Sequence, residues 1–207
     1  MLTLYLTPDT CALASAIALE DAGLAYRIAR IDFARNEQRA PAFLHVNPKG
    51  RVPALVTERG VITETPAILA YIAQLRPAAG LAPLDDPFAF AELQAFNSYL
   101  CSTVHVAHSH RMRGYRWARE PASFEDMQRK VPESVGEGFH LVETGMLRGP
   151  WVMGERYSIA DPYLFTLAQW LEADGVDTAR LPRVLDHRAR MRKRASVIAA
   201  LSRERPP

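Results

Sequence analysis

Over residues 2 to 75 the spacing of apolar residues switches repeatedly between the period of a strand and that of a helix. Leu2–Leu6 (LTLYL) alternates bulky and β-forming residues and reads as a short strand. Pro8 and Asp9 then turn the chain, and Asp9 or Thr10 can cap a helix whose apolar positions are Leu13, Ile17 and Leu19 and which Gly23 closes. Tyr26–Ile31 predicts a second strand, and Ala42–Val46 a short helix before Asn47-Pro48. Val52–Val56 and Gly60–Thr63 are short β segments joined through Thr57-Glu58-Arg59 as a hairpin. Glu64–Leu75 returns to helical spacing with Ile68, Leu69, Ile72 and Leu75. The order β-α-β-α-β-β-α over residues 1–76 defines an α/β domain, small enough to need a partner surface.

Residues 77–86, within the Pro- and Ala-rich run Arg76–Pro87, read as a linker that ends in an Asp-Pro helix start. From 87 to 207 the pattern is helical throughout. Phe88–Met112 forms one long pattern, and a second runs over Ser123–Leu147, where Pro132, Gly136 and Gly138 predict a kink or break near Pro132. Ser158-Ile159-Ala160-Asp161 resembles a capping box, with the Ser158 hydroxyl accepting from the Asp161 amide and the carboxylate reaching back, and the helix it opens runs through Trp170.

Composition narrows the function classes. The 207 residues are 48% hydrophobic and 23% charged, ordinary for a globular chain, and a net charge of +2 gives no footprint for nucleic acid. The basic run His187–Arg194 (HRARMRKR) reads as the solvated face of a helix. Two cysteines, Cys11 and Cys101, without a C-x-x-C pair point to a reducing, cytoplasmic setting. The start lacks the basic region of a signal peptide, and no apolar run reaches the ~20 residues of a membrane span, so neither export nor a membrane is implied.

Cys11 falls where the first strand hands over to the first helix, in the first turn by this reading. Unpaired amides and the positive end of the helix dipole stabilise a thiolate there, which makes a nucleophile at neutral pH. The same residue is equally readable as a small buried hydrophobe, so its neighbours must decide.

Those neighbours carry a resemblance. TPDTCALAS after a strand, Asn47–Leu55 (NPKGRVPAL), Thr63-Glu64-Thr65 opening a helix and Ser158–Phe165 (SIADPYLF) occur in the order found in the cytosolic glutathione S-transferases. The chain is most similar to the bacterial beta class, where the catalytic position is a cysteine just after the first strand. The resemblance implies a thioredoxin-like N-terminal domain, an all-helical C-terminal domain and a glutathione-dependent enzyme of detoxification type. It implies Cys11 and His105 as catalytic residues, with His105 facing the cysteine across the domain cleft. His105 shares roughly one side of the long helix with Ser98, Cys101 and Ser102.

For glutathione the resemblance implies a cis-proline at Pro53, so that the Val52 main chain pairs with the peptide-like ligand as an added strand. Glu64 and Thr65, at a helix start that favours anions, take the γ-glutamyl carboxylate and ammonium. Arg35 is the candidate for the glycine carboxylate, with Arg39 as the alternative. Thr7, Asp9, Thr10, Met112 and Tyr115, together with Trp117, are the candidate walls of a cosubstrate pocket. Departures from the pattern are Ala12 after the cysteine, Ser98 for a common asparagine, and Val106 for a basic residue.

A cysteine here favours thiol–disulfide transfer beside conjugation, because a thiolate can attack a disulfide and hold glutathione covalently. The partners implied are glutathione as cosubstrate, a small electrophile or disulfide, and a second copy of the chain as a homodimer. His105, His108 and His110 do not make a metal set: only the first two share a face, and no acid joins them. The alternatives are a noncatalytic binding or assembly module of the same fold, and a glutathione-dependent isomerase or dehalogenase.

Overall fold

The structure is a computed structural model and describes residues 1–205. The chain divides into two compact units, residues 1–91 with 191–207 and residues 92–190.

In the first unit, β1 (Leu2–Leu6), α1 (Ala12–Asp21), β2 (Tyr26–Arg30), α2 (Pro41–Val46), β3 (Ala54–Thr57), β4 (Gly60–Thr63) and α3 (Thr65–Leu75) follow the predicted order. The sheet order is β2-β1-β3-β4. β1 runs parallel to β2, with Leu4 opposite Ile28, and antiparallel to β3, with Leu4 opposite Leu55; β3 and β4 form the hairpin. Leu4 and Leu6 are buried with Ile17, Leu55, Ile68, Leu69 and Ile72, so the period-2 residues of β1 and the helical stripe of α3 share one core. α1 is buried along nearly its whole length, Ala12 through Leu19, as expected of a helix apolar on all sides. β3 begins at Ala54, two residues later than the sequence predicts: the ladder with β1 covers Ala54 to Val56 and leaves Val52 outside it.

α9 (Ala195–Glu204) belongs to this unit and packs on α1. Arg194 pairs with Asp21 at 2.8 Å, and Arg203 reaches Glu20 and the Tyr26 carbonyl, each at 2.8 Å.

The second unit is helical. α4 (Pro87–Tyr99) enters it and continues through π-type turns at Leu100–Val104 into α5 (His105–Arg113). The long helix expected over Phe88–Met112 is therefore wound with a wider segment in its middle, which alters the facing of residues on either side of it. α6 (Pro121–Leu141) passes through Pro132 without the expected break. Pro132 and Gln128, whose carbonyl loses its intrahelical donor, are both exposed, so water can take that acceptor. Gly138 has a packing reason: a Cβ there would stand 3.1 Å from Val104 Cγ2, and its carbonyl accepts from the Tyr99 hydroxyl at 3.0 Å.

α7 (Ala160–Ala168) ends two residues before Trp170 rather than running through it. At its start the Ser158 hydroxyl accepts from the Ala160 amide at 3.3 Å, not from Asp161, whose amide bonds instead to the Ser158 carbonyl at 3.1 Å. The Asp161 carboxylate does reach back, to the Ser158 amide at 2.7 Å, and also binds the Val152 amide at 2.8 Å. Its third partner is His187 Nε2 at 2.9 Å, from α8 (Pro182–Arg192). The basic run is thus not simply a solvated face: His187 and Met191 are buried, Arg188 and Arg190 are partly buried, and Arg192 and Lys193 are exposed.

Candidate functional site

β1 ends at Leu6, and the loop to α1 is tied at both ends. Thr7 Oγ1 donates to the Ile31 carbonyl at 2.7 Å; Thr10 Oγ1 donates to the Thr7 carbonyl at 2.7 Å and accepts from the Ala12 amide at 3.4 Å. Between them Asp9 adopts a φ of 60°, a left-handed conformation that a short polar side chain tolerates. Cys11 is the N-cap of α1, immediately before the first turn in which the sequence places it, yet its own φ of −62° and ψ of −10° are already helical. The Leu13 and Ala14 amides bond back to the Thr10 and Cys11 carbonyls at 3.2 Å each, closing a tight first turn around the thiol.

Cys11 is buried, and its S–H donates to the Val52 carbonyl with Sγ 3.6 Å from the oxygen. The Val52–Pro53 peptide is cis. The approach to it is shaped by Asn47, whose Nδ2 donates to the Arg51 carbonyl at 2.6 Å and whose Oδ1 accepts from the Lys49 amide at 3.2 Å. Gly50 is needed in this turn: its φ is +61°, and a Cβ there would lie 2.8 Å from the Gln38 carbonyl oxygen.

Glu64 is the N-cap of α3 with φ 73° and ψ 123°, a conformation that costs a residue with a side chain ~1–3 kcal/mol and that marks functional positions more often than structural ones. Its carboxylate, half-exposed, is paired with Lys49 Nζ, which also donates to Thr63 Oγ1 at 2.6 Å. Thr65 is buried in the first turn.

Of the residues singled out in the sequence, Cys11, Val52, Pro53, Glu64 and Thr65 come from three loops of one unit, with Thr7, Asp9 and Thr10 in the loop that carries the thiol. Arg35 lies exposed in the turn after β2, its amide bonded to Asp32 Oδ1 at 3.1 Å. Arg39 Nη1 lies 3.2 Å from the position of a Gly50 Cβ. Lys49 was not singled out; its signal is a cation three residues before a Val-Pro that continues into a strand.

His105 opens α5 in the other unit. Its ring lies 5.3 Å from the Trp170 ring, centroid to centroid, and Trp170 in turn stacks on His108 at 4.1 Å. His108 Nδ1 is 2.7 Å from Asp174 Oδ2, a carboxylate that is almost fully buried. Met112, Tyr115 and Trp117 are all exposed, Met112 to 72%, and Trp117 meets His110 edge-on at 4.5 Å. Among the described residues no three or more His, Cys, Asp or Glu side chains come together as a metal site, and no helix is long and apolar enough to cross a membrane.

A thiol at a helix start, a main-chain edge beside a cis-proline and an acid at a second helix start lie in one unit of the chain. The family model of the glutathione S-transferase N-terminal domain matches residues 1–74. A glutathione transferase homologue from Sulfitobacter, solved with bound glutathione, is 52% identical with a TM-score of 0.93 over 96% of each chain. The bacterial beta class glutathione S-transferase of Sphingomonas chungbukensis is 32% identical with a TM-score of 0.85 over 98% of each chain. Among curated proteins, glutathione S-transferase GstA of Escherichia coli O157:H7 is 29% identical over 97% of this chain and 98% of its own. The chain belongs to the glutathione S-transferase family.

Proposed function

We propose that this glutathione transferase holds glutathione with its γ-glutamyl end at Glu64 and Thr65, its cysteinyl main chain on Val52 and its sulfur at Cys11. The observation that carries the reading is the 3.6 Å separation of Cys11 Sγ from the Val52 carbonyl, beside a Val52 that stands outside the β1–β3 ladder. A peptide pairing with Val52 as an added strand sets its central side chain next to that sulfur. The glutathione seen in the Sulfitobacter relative, at 52% identity, supports the same ligand here. For the glycine carboxylate, Arg39 is favoured over Arg35 by its position against Gly50. His105 is assigned to orienting the thiol, and the protein to a cytoplasmic homodimer.

The reaction is joining of glutathione through its sulfur to a small electrophile, the new S–C bond forming as a leaving group departs or a π bond of the electrophile opens, or thiol exchange. In the exchange the Cys11 thiolate attacks one sulfur of glutathione disulfide; the Cys11–glutathione bond forms as the old S–S bond breaks, and the departing glutathione thiolate takes up a proton. Titration calorimetry with glutathione and with S-methylglutathione tests the binding, and binding of neither favours a noncatalytic module. Incubation with glutathione disulfide, followed by intact-mass analysis and peptide mapping, is expected to show one glutathione per chain on Cys11, lost in Cys11→Ala. Cys101, in the π-type segment without helix-start amides, is the internal control. An adduct mainly on Cys101, or none, removes thiol exchange and leaves conjugation.

A further inference from the structure

The end of α9 meets the loop that carries Cys11. Arg205 forms an ion pair with the Asp9 carboxylate, and the carboxyl of Glu204, only 2% exposed, accepts a hydrogen bond from the Asp9 amide. Two further links fix this helix end: Arg30, at the end of β2, donates to the Arg203 carbonyl and approaches the Glu204 carbonyl at 3.5 Å, and Arg203 is itself engaged by Glu20 and Tyr26. Glu204 Oε1 is buried and has no hydrogen-bond partner. An unpartnered carboxylate oxygen is expensive to bury, so its place against a left-handed turn asks for a reason.

We propose that Glu204 is a positioning residue for the Cys11 thiol: through Asp9, its buried carboxyl sets the turn from which α1 starts, and its protonation state tightens or loosens that turn. Asp9 lies two residues before Cys11 and holds φ at 60°, so its movement re-aims the N-cap residue. The charged groups facing Glu204 are the Asp9 carboxylate from the loop, Arg205 beside it in the chain, and Arg30 and Arg203 around the helix end. Burial first, and then the Asp9 carboxylate, push the Glu204 carboxyl up to about 7, against the smaller pull of Arg205 and the Asp9 amide. Below that pH the group is neutral beside Asp9. Above it, the two carboxylates repel while the Asp9 amide holds the ionised Glu204 more strongly, so the turn shifts with the charge. The exposed Arg205–Asp9 pair by itself contributes little, so the buried acid is the controlling member.

The Cys11 side of this proposal rests on the reading of that thiol as the reacting group, so the test keeps the two apart. Amide resonances of Thr7, Asp9, Thr10 and Cys11 are followed by NMR between about pH 5.5 and 8.5 in the full chain. The expected result is an inflection near 7 at Asp9 and Cys11 that is lost in Glu204→Gln, a neutral isostere of the protonated acid. Identical titrations in the two proteins overturn the proposal. Should the Gln variant fail to fold, Arg205→Ala keeps the acid and removes a cation that lowers its pKa, so the midpoint moves up; an unmoved midpoint overturns the proposal equally. Alkylation of Cys11 with iodoacetamide, with Cys101 as control, is read alongside. An inert Cys11 with the amide inflection intact upholds the role of Glu204 and removes the nucleophile.

Discussion

α1 and α7 both begin at a short polar motif after a turn and bond their first amides alike, to the hydroxyl and carbonyl of Thr10 or of Ser158, but they differ in the side chains set beside those amides. At α7 everything is consumed inside the protein: Asp161 takes the Ser158 and Val152 amides and His187 Nε2, and Ser158 Oγ takes the Ala160 amide, all buried. At α1 the first amides are met by the Thr10 hydroxyl, 3.4 Å from the Ala12 amide, and by the Thr10 and Cys11 carbonyls at 3.2 Å, and the N-cap position is given to a thiol. A helix start built around a buried carboxylate and its partners stabilises a fold and has little to offer a ligand; one that presents a thiol leaves its positive end to an anion. The same local device serves folding at Asp161 and, in the function proposed above, chemistry at Cys11.

The sharpest consequence is in stability. Asp161→Ala leaves the Ser158 and Val152 amides and a buried His187 without their acceptor. Removing one member of a buried ionic or hydrogen-bonded set costs ~3–5 kcal/mol, and this variant is expected to lose that much in urea unfolding. A loss under ~1 kcal/mol would mean that α7 does not depend on its box and would dissolve the contrast.

Binding should respond at the other helix start. Glu64→Gln keeps the shape of the α3 N-cap and removes the charge that an ammonium would meet. Because Glu64 is half-exposed and already paired with Lys49, the loss is placed at ~1–2 kcal/mol, roughly 5–30-fold in glutathione affinity. The unfolding midpoint should stay close to that of the unaltered chain. Affinity within twofold by calorimetry would put Glu64 outside the site.

The pH dependence of stability follows from Glu204. Its carboxyl is raised in the folded chain from the ordinary 4.5 to about 7, so between those values the folded state holds more protons than the unfolded one. The Glu204 contribution therefore declines as pH rises from about 4.5 to about 7, and levels off above. In Glu204→Gln that decline should flatten. A slope unchanged by the substitution assigns it to other groups.

Much of the site was readable because it is local. The strand period of Leu2–Leu6, the turn residues Pro8 and Asp9, and the helical stripe of α3 together fix where Cys11, Val52 and Glu64 must fall. What escaped depends on chain segments far apart. Lys49 meets Glu64 across a hairpin, Arg39 reaches Gly50 over the turn before α2, and Glu204 meets Asp9 from the far end of the chain. The passage of α6 through Pro132 was hidden for another reason: the cost of the missing amide depends on whether water reaches the Gln128 carbonyl, which sequence does not display. The π-type turns before His105 likewise leave no mark on a 3.6-residue pattern.

The smallest expected effect tests the α1 half of the contrast. Thr10→Ala removes the acceptor for the Ala12 amide, already long at 3.4 Å, and the hydroxyl donated to the Thr7 carbonyl at 2.7 Å. Both sit in a half-buried loop, where water replaces part of what is lost. An N-cap-type substitution of this kind costs ~0.5–2 kcal/mol, and the long amide contact argues for about 1. The urea midpoint should fall slightly, while alkylation of Cys11 should change in rate because the turn that aims it has lost a tether. If Thr10→Ala were as damaging to stability as Asp161→Ala, the Thr10 turn would carry as much of the fold as the Asp161 set does, and the contrast between the two helix starts would fail.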